Sequence, residues 1–194
     1  MSDKKGVCMR KLIQYGALLL VFTLAGCQSV ESGTPMPIRN AGFEGVINNQ
    51  TLPGWSYEEH AGKWRGQAFE VASNSSAGPG GSRALRMTRL QEEDYAMVHQ
   101  KVRVRPEDAG KTMRFSAMMR TDSVGPKGWK LVVTLVNGGI FLDQVRSTPV
   151  SGTSEWSRSS VTAVIPVGTT DLDVGFLHQD SGTGWASDPM LVIE

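Results

Sequence analysis

Few side chains in this sequence stand where reaction chemistry would need them. The three histidines, His60, His99 and His178, are spread too widely for H-x-H or H-E-x-x-H spacing, so each defaults to a packed or solvated imidazole. There is no G-x-S-x-G nucleophile elbow and no P-loop. Glu92-Glu93-Asp94 gathers three carboxylates, but its polar setting reads as a solvated loop. A glycosidase would need two carboxylates about 5–10 Å apart across a groove, and no spacing in the sequence sets up such a pair. The expectation is a protein that binds without catalysing. What the chain does hold is aromatic surface, in five tryptophans. A tryptophan offers a flat apolar platform to an apolar face of a bound molecule, while amides, carboxylates and arginines pair with its polar groups. Trp64, flanked by Gly62, Lys63, Arg65 and Gly66, and Trp129, following Gly125-Pro126-Lys127-Gly128, both start from polar loops and are the platform candidates.

The N-terminus carries a different chemistry. Lys4, Lys5, Arg10 and Lys11 precede an apolar run from Leu12 to Ala25. At about 1.5 Å per residue this run is short for a hydrocarbon core of about 30 Å, and it has the size of a signal-peptide h-region. It ends in Leu24-Ala25-Gly26-Cys27, which resembles the bacterial lipobox. The resemblance implies cleavage before Cys27 and a diacylglyceryl thioether on its sulfur. Acyl chains bind a membrane at about 0.8 kcal/mol per buried CH₂. The expected organisation is a signal peptide over 1–26, a flexible Ser-, Gly- and Pro-rich tether over 27–37, and one domain over 38–194.

Cleavage removes four of 20 basic residues and one of 19 acidic ones, leaving 16 against 18 and a net charge of about −2. No basic stripe survives, which excludes the usual electrostatic footprint of nucleic-acid binding. Cys8 leaves with the leader and Cys27 is lipidated, so no thiol remains for a disulfide, a zinc site or a nucleophile. Gln28 follows the lipidated cysteine where an aspartate often retains lipoproteins at the inner membrane. That places the expected anchor in the cell envelope, at the outer membrane where there is one.

The rest of the chain alternates with a period of two. Met113, Phe115, Ala117 and Met119 share a face, as do Leu131, Val133 and Leu135. Gly138-Gly139 then signals a hairpin, with Phe141 to Arg146 returning. Val98, Val102 and Val104; Val161, Ala163 and Ile165; and Leu172, Val174 and Phe176 make further faces, two of them stopped by Pro106 and Pro166. Ser73 to Ser82 reads as an exposed loop and Glu107 to Gly110 as a turn. No segment after Cys27 shows a helical period with caps. The predicted fold class is all-β, a β-sandwich of the jelly-roll kind.

Several short segments, in order, then carry a family resemblance. They are Asn40-Ala41-Gly42-Phe43-Glu44, Leu52-Pro53-Gly54-Trp55, Ser82 to Arg86, Gln100 to Val104, Met113 to Thr121, Thr153 to Trp156, Ile165 to Gly168, and Gly184 to Leu191. Together they resemble carbohydrate-binding modules of the galactose-binding-like superfamily, families four, nine and twenty-two above all. The resemblance implies a two-sheet sandwich, packed positions for Trp55, Trp156 and Trp185, and a concave face on which Arg120 and Gln100 would orient sugar hydroxyls. Arg120 also reads as an ordinary exposed strand residue, and Gln100 as an inward side chain satisfying backbone. The resemblance further implies one structural calcium held by Glu44 and Asp188. Ala186-Ser187-Asp188-Pro189 lacks one acid of the usual closing segment, and calcium wants six to eight oxygens. The expected function is glycan binding by a lipid-anchored domain; the alternative is a structural domain holding an envelope protein.

Overall fold

The structure, a computed structural model, describes residues 33–45, 47–48, 51–60 and 68–194. The expected signal peptide, Cys27 and Trp64 lie outside the described residues. Ten strands follow one another: β1 Thr34–Met36, β2 Ser56–Glu59, β3 Phe69–Asn74, β4 Ala84–Arg89, β5 Ala96–Arg103, β6 Thr112–Asn137, β7 Ile140–Arg146, β8 Val150–Val164, β9 Asp171–His178 and β10 Thr183–Ile193. All of their pairings are antiparallel. Among the described residues the helical segments are two short 3-10 turns, Pro79–Gly81 and Pro106–Asp108. The all-β sandwich expected from the alternation is the fold observed.

Strand β6 builds both layers. Its first half, Thr112 to Thr121, lies between β8 and β10, and Trp129 to Val136 lies against β9 and β7. One layer therefore runs β3–β4–β10–β6–β8 and the other β2–β5–β9–β6–β7. The hairpin between β6 and β7 turns at Gly138 and Gly139, both with positive φ, as a two-residue turn matched to strand twist requires. β1 pairs with the end of β10, Thr34 opposite Ile193, so Thr34–Met36 of the expected tether belong to the folded domain.

The predicted apolar faces meet in the middle. Phe115, Leu131, Val133, Leu135, Leu172, Val174 and Phe176 are buried in one cluster. Its centre is aromatic: Phe43 stacks on Trp55 at 5.4 Å, Trp55 meets Phe176 at 5.7 Å, and Trp129 stacks on Phe176 at 5.7 Å. Such pairs contribute about 0.5–1.5 kcal/mol each beyond the area they bury. The expected turn at 107–110 holds a buried carboxylate. Asp108 accepts from Arg105 Nε at 2.9 Å and Lys111 Nζ at 2.8 Å. Those two hydrogen bonds pull its pKa down to about 2.

Candidate functional site

The outer face of the β2–β5–β9–β6–β7 layer is where polar side chains converge. On strands whose inward residues are Val98, Leu131, Leu135, Leu172, Val174 and Phe176, every second residue must point out. The pairing aligns these outward residues in rows: Glu58, Met97, Leu177 and Lys130; then His99, Gly175, Val132 and Arg146; then Lys101, Asp173, Thr134 and Gln144. A groove of about 360 Å³ follows, with Met97, Val132 and Leu177 as apolar floor and Glu58, Tyr95, Gln144, Arg146, Asp173 and Gln179 around it. Gly175 sits in its middle row. A Cβ there would fall 2.5 Å from the Val98 carbonyl oxygen, so only glycine fits.

Its polar groups are pre-arranged in two halves. Across β2, β5 and β9, His99 Nδ1 meets Asp173 Oδ1 at 2.6 Å, and His99 Nε2 lies 3.9 Å from a Glu58 oxygen. Tyr95 donates its hydroxyl to Glu58 at 3.5 Å. Burial first, then the Glu58 carboxylate, push the phenol pKa up, so it remains a donor. Across β6 and β7, Gln144 donates to Thr134 Oγ1 at 2.9 Å and accepts both Arg146 Nε and Nη2, at 2.9 and 2.6 Å. Lys130 donates to Gln179 at 2.6 Å. Such an array of amides, acids, a phenol and a guanidinium over an apolar floor suits a ligand with both hydroxyls and apolar CH faces.

The residues singled out from the sequence fall elsewhere. Trp129 is not a platform. It is 0% exposed, its indole N–H donates to the Trp185 carbonyl at 3.0 Å, and it lies between Phe176 and His178. A Cβ at Gly184 would come within 2.5 Å of its ring, so the indole rests directly on that backbone. The glycines before it do not end a loop, because β6 runs on through them. Gln100 is 2% exposed and takes the inward option: its amide accepts from the Arg39 N–H at 2.9 Å and donates to the Arg39 carbonyl at 3.1 Å. Arg120 is on the other layer, its guanidinium 4.8 Å above the ring of Trp185, which is half-buried rather than core. Trp156 is also half-buried, whereas Trp55 is packed as expected. Trp129, Arg120 and Gln100 therefore do not share a groove. Glu93, expected to be solvated, has a side chain only 5% exposed and accepts from the Asp94 N–H.

The expected calcium ligands do not fit an ion as they stand. Asp188 accepts a hydrogen bond from Arg158 Nη2, so a guanidinium already neutralises it. Ser187, the residue before it, is turned to Ser82 and the Arg83 carbonyl. One exposed carboxylate from Glu44 does not complete a six- to eight-oxygen shell. Among the described residues, the group of three ligand-type side chains with ligand atoms within 4.8 Å is His60, Glu93 and Asp94. There the His60 Nδ1 to Glu93 contact of 3.2 Å is an ordinary hydrogen bond.

No protein-family model and no curated protein matches this sequence. Solved structures do. A cyclase from Fischerella sp. TAU superposes with a TM-score of 0.61 at 16% identity, over 84% of this chain and 98% of that one. The CBM22-1–GH10 modules of Clostridium thermocellum endo-1,4-beta-D-xylanase 10B, complexed with xylohexaose, give 0.58 at 12% identity. That match covers 84% of this chain and 29% of the xylanase chain. A Bacteroides thetaiotaomicron protein provisionally described as sugar binding gives 0.56 at 12% identity, over 82% of this chain and 100% of that one. These likenesses define the class of fold, a β-sandwich that carbohydrate-binding modules share with a cyclase. They show the fold alone.

Proposed function

We propose that the domain binds a glycan without chemistry, in the groove across β2, β5, β9, β6 and β7. The observation that carries this reading is the groove itself. Its polar side chains already hold fixed hydrogen-bonded positions around an apolar floor, which lowers the ordering cost of binding. Its aromatic component is modest, Tyr95 among the described residues, and Trp64 is the tryptophan we retain as a platform. The domain is carried, in this reading, on a lipid-anchored envelope protein exported by the 1–26 leader and acylated at Cys27. The motive is Leu24-Ala25-Gly26-Cys27 behind a basic and apolar leader.

A glycan array probed with the chain is the test, repeated with Tyr95→Ala and Gln144→Ala. The expected result is binding that both variants weaken without a change in melting temperature. Labelled palmitate tests the anchor: incorporation is expected in the natural chain and not in Cys27→Ala. A second reading, an envelope-protein partner, is favoured by one observation. Ile140 and Phe141, at the tip of the edge strand β7, are 69% and 63% exposed. Ile140→Ser with Phe141→Ser separates the two, since it should abolish capture of a protein and leave glycan binding unchanged.

A further inference from the structure

Resting on the glycan-binding reading, the geometry points to an acidic saccharide as the ligand: we propose that a uronic-acid carboxylate is held between Lys130 and Arg146, on the β6–β7 side of the groove. The two halves of the groove differ in charge. Glu58 and Asp173 lie on β2 and β9, with His99 bridging them. Arg146 stands opposite Val132 in the β6–β7 pairing, which makes Lys130 its diagonal neighbour on the same face. Diagonal neighbours on antiparallel strands lie about 7–8 Å apart at Cα, within reach of two long side chains converging on one anion.

Neither cation is neutralised. Among the described residues, Lys130 meets only the Gln179 amide oxygen and Arg146 only that of Gln144. Elsewhere on the domain guanidinium groups meet carboxylates: Arg86 with Glu70, Arg105 with Asp108, Arg114 with Glu194, Arg158 with Asp188. A neutral amide oxygen holds Arg146 in position while leaving its positive charge unspent. Burial first, then Arg146 and Lys127, lower the pKa of Lys130, and no carboxylate offsets them. A partly buried Lys130 and an exposed Arg146 that repel each other are stabilised when an anion enters between them. A guanidinium fork and an ammonium suit a planar carboxylate, with Arg146 giving the paired hydrogen bonds and Lys130 the point charge. The acids on the far side set the direction of the chain: they repel a second carboxylate and accept hydroxyls instead. The saccharide therefore carries its charge at the β6–β7 side and its neutral hydroxyl edge at the β2–β5 side.

The test uses the full chain in detergent and two sets of probes, oligouronates and their carboxyl-reduced counterparts, with affinity read by calorimetry. The oligouronate is expected to bind at least about tenfold more tightly than its reduced form. Raising salt from about 0.1 M to about 0.5 M should weaken the first more than the second. Lys130→Met and Arg146→Gln should each erase the preference, weakening the oligouronate by at least about tenfold more than its reduced form, with the melting temperature in place. Sulfated oligosaccharides form a third arm; tighter binding of these than of uronates overturns the assignment to a carboxylate. Equal binding of uronate and reduced forms by the natural chain overturns the charge inference and leaves glycan binding standing. Binding of no saccharide overturns both.

Discussion

The two outer faces of the sandwich handle charge in opposite ways. On the β3–β4–β10–β6–β8 face, guanidinium groups are charge-paired or stacked within the protein. Arg86 meets Glu70, Arg158 meets Asp188, and Arg120 lies over Trp185. On the β2–β5–β9–β6–β7 face, Arg146 and Lys130 rest on amide oxygens, and a carboxylate pair lies across a trough from them. The first arrangement is what a solvated surface does at little energetic consequence. The second leaves polar capacity unspent over an apolar floor, which is what a receptor needs. The difference shows that residue type alone does not mark a site on this fold; an arginine becomes a candidate when its own surface supplies no partner.

The largest expected effect concerns the aromatic centre that keeps the two faces apart. Trp129→Ala removes an indole that is wholly buried, stacked on Phe176 and seated on Gly184. The expected loss is about 3–5 kcal/mol of stability, read as an early melt, with any binding defect following from unfolding. A stable variant that folds normally and loses only glycan affinity would reinstate Trp129 as a platform and break the assignment of the groove.

Next comes pH. His178 is packed between Phe69 and Trp129, at 5.3 and 5.5 Å, and its burial pushes its pKa down to about 4. The folded state keeps the ring neutral while the unfolded chain protonates it near its ordinary 6.5. Stability is therefore fully present above about pH 6.5 and is lost as pH falls toward about 4, a decline of about 3 kcal/mol. Denaturant titrations at pH 7.5 and 4.5 check this. His178→Phe should flatten that segment of the profile. Glycan affinity measured on still-folded protein is expected to respond separately, since His178 is on the inner face and the groove is on the outer.

Smaller is the effect of single groove side chains. Tyr95→Ala or Gln144→Ala is expected to reduce glycan affinity about tenfold, about 1.4 kcal/mol, with the melt unchanged. Arg120→Ala, on the other face, is expected to leave affinity where it was. Loss of affinity with Arg120→Ala and none with Gln144→Ala would exchange the roles of the faces.

The strands were legible because each shows its apolar half at every second residue, from Met113 to Met119 and from Leu172 to Phe176. The groove was present in the same alternation and went unread, since the positions between the apolar ones, Asp173, Thr134 and Gln144, are the ones facing out. Parity also assigns Gln100, which shares phase with the buried Val98 and Val102. What alternation does not carry is which strand lies beside which. That pairing takes Arg120 to one layer and Arg146 to the other, although both belong to the β6 neighbourhood. Trp129 was misplaced for a related reason: Gly125 to Gly128 has the composition of a loop, yet here it lets one long strand pass from layer to layer. Gly128 takes a positive φ there, and a Cβ would strike Pro149 at 2.5 Å.

The smallest expected effect tests whether the charge-paired face is closed to ions. Asp188 is more than half exposed and already meets Arg158, which also reaches Ser116 Oγ at 3.2 Å. The guanidinium thus supplies, from within the chain, the positive charge that a calcium ion would bring to that carboxylate. A resident cation of this kind competes with an added one, which must gather six to eight oxygens of its own. Melts in calcium and in EDTA are therefore expected to coincide, and Asp188→Asn to cost no more than about 1 kcal/mol, the range of an exposed ion pair. Arg158→Ala sharpens the point. If the guanidinium is what excludes the ion, its removal frees the Asp188 carboxylate, and a calcium-dependent rise in melting temperature should appear in that variant alone. A rise already present in the natural chain, and abolished by Asp188→Asn, would show that Arg158 yields to calcium and that this face is a binding face too.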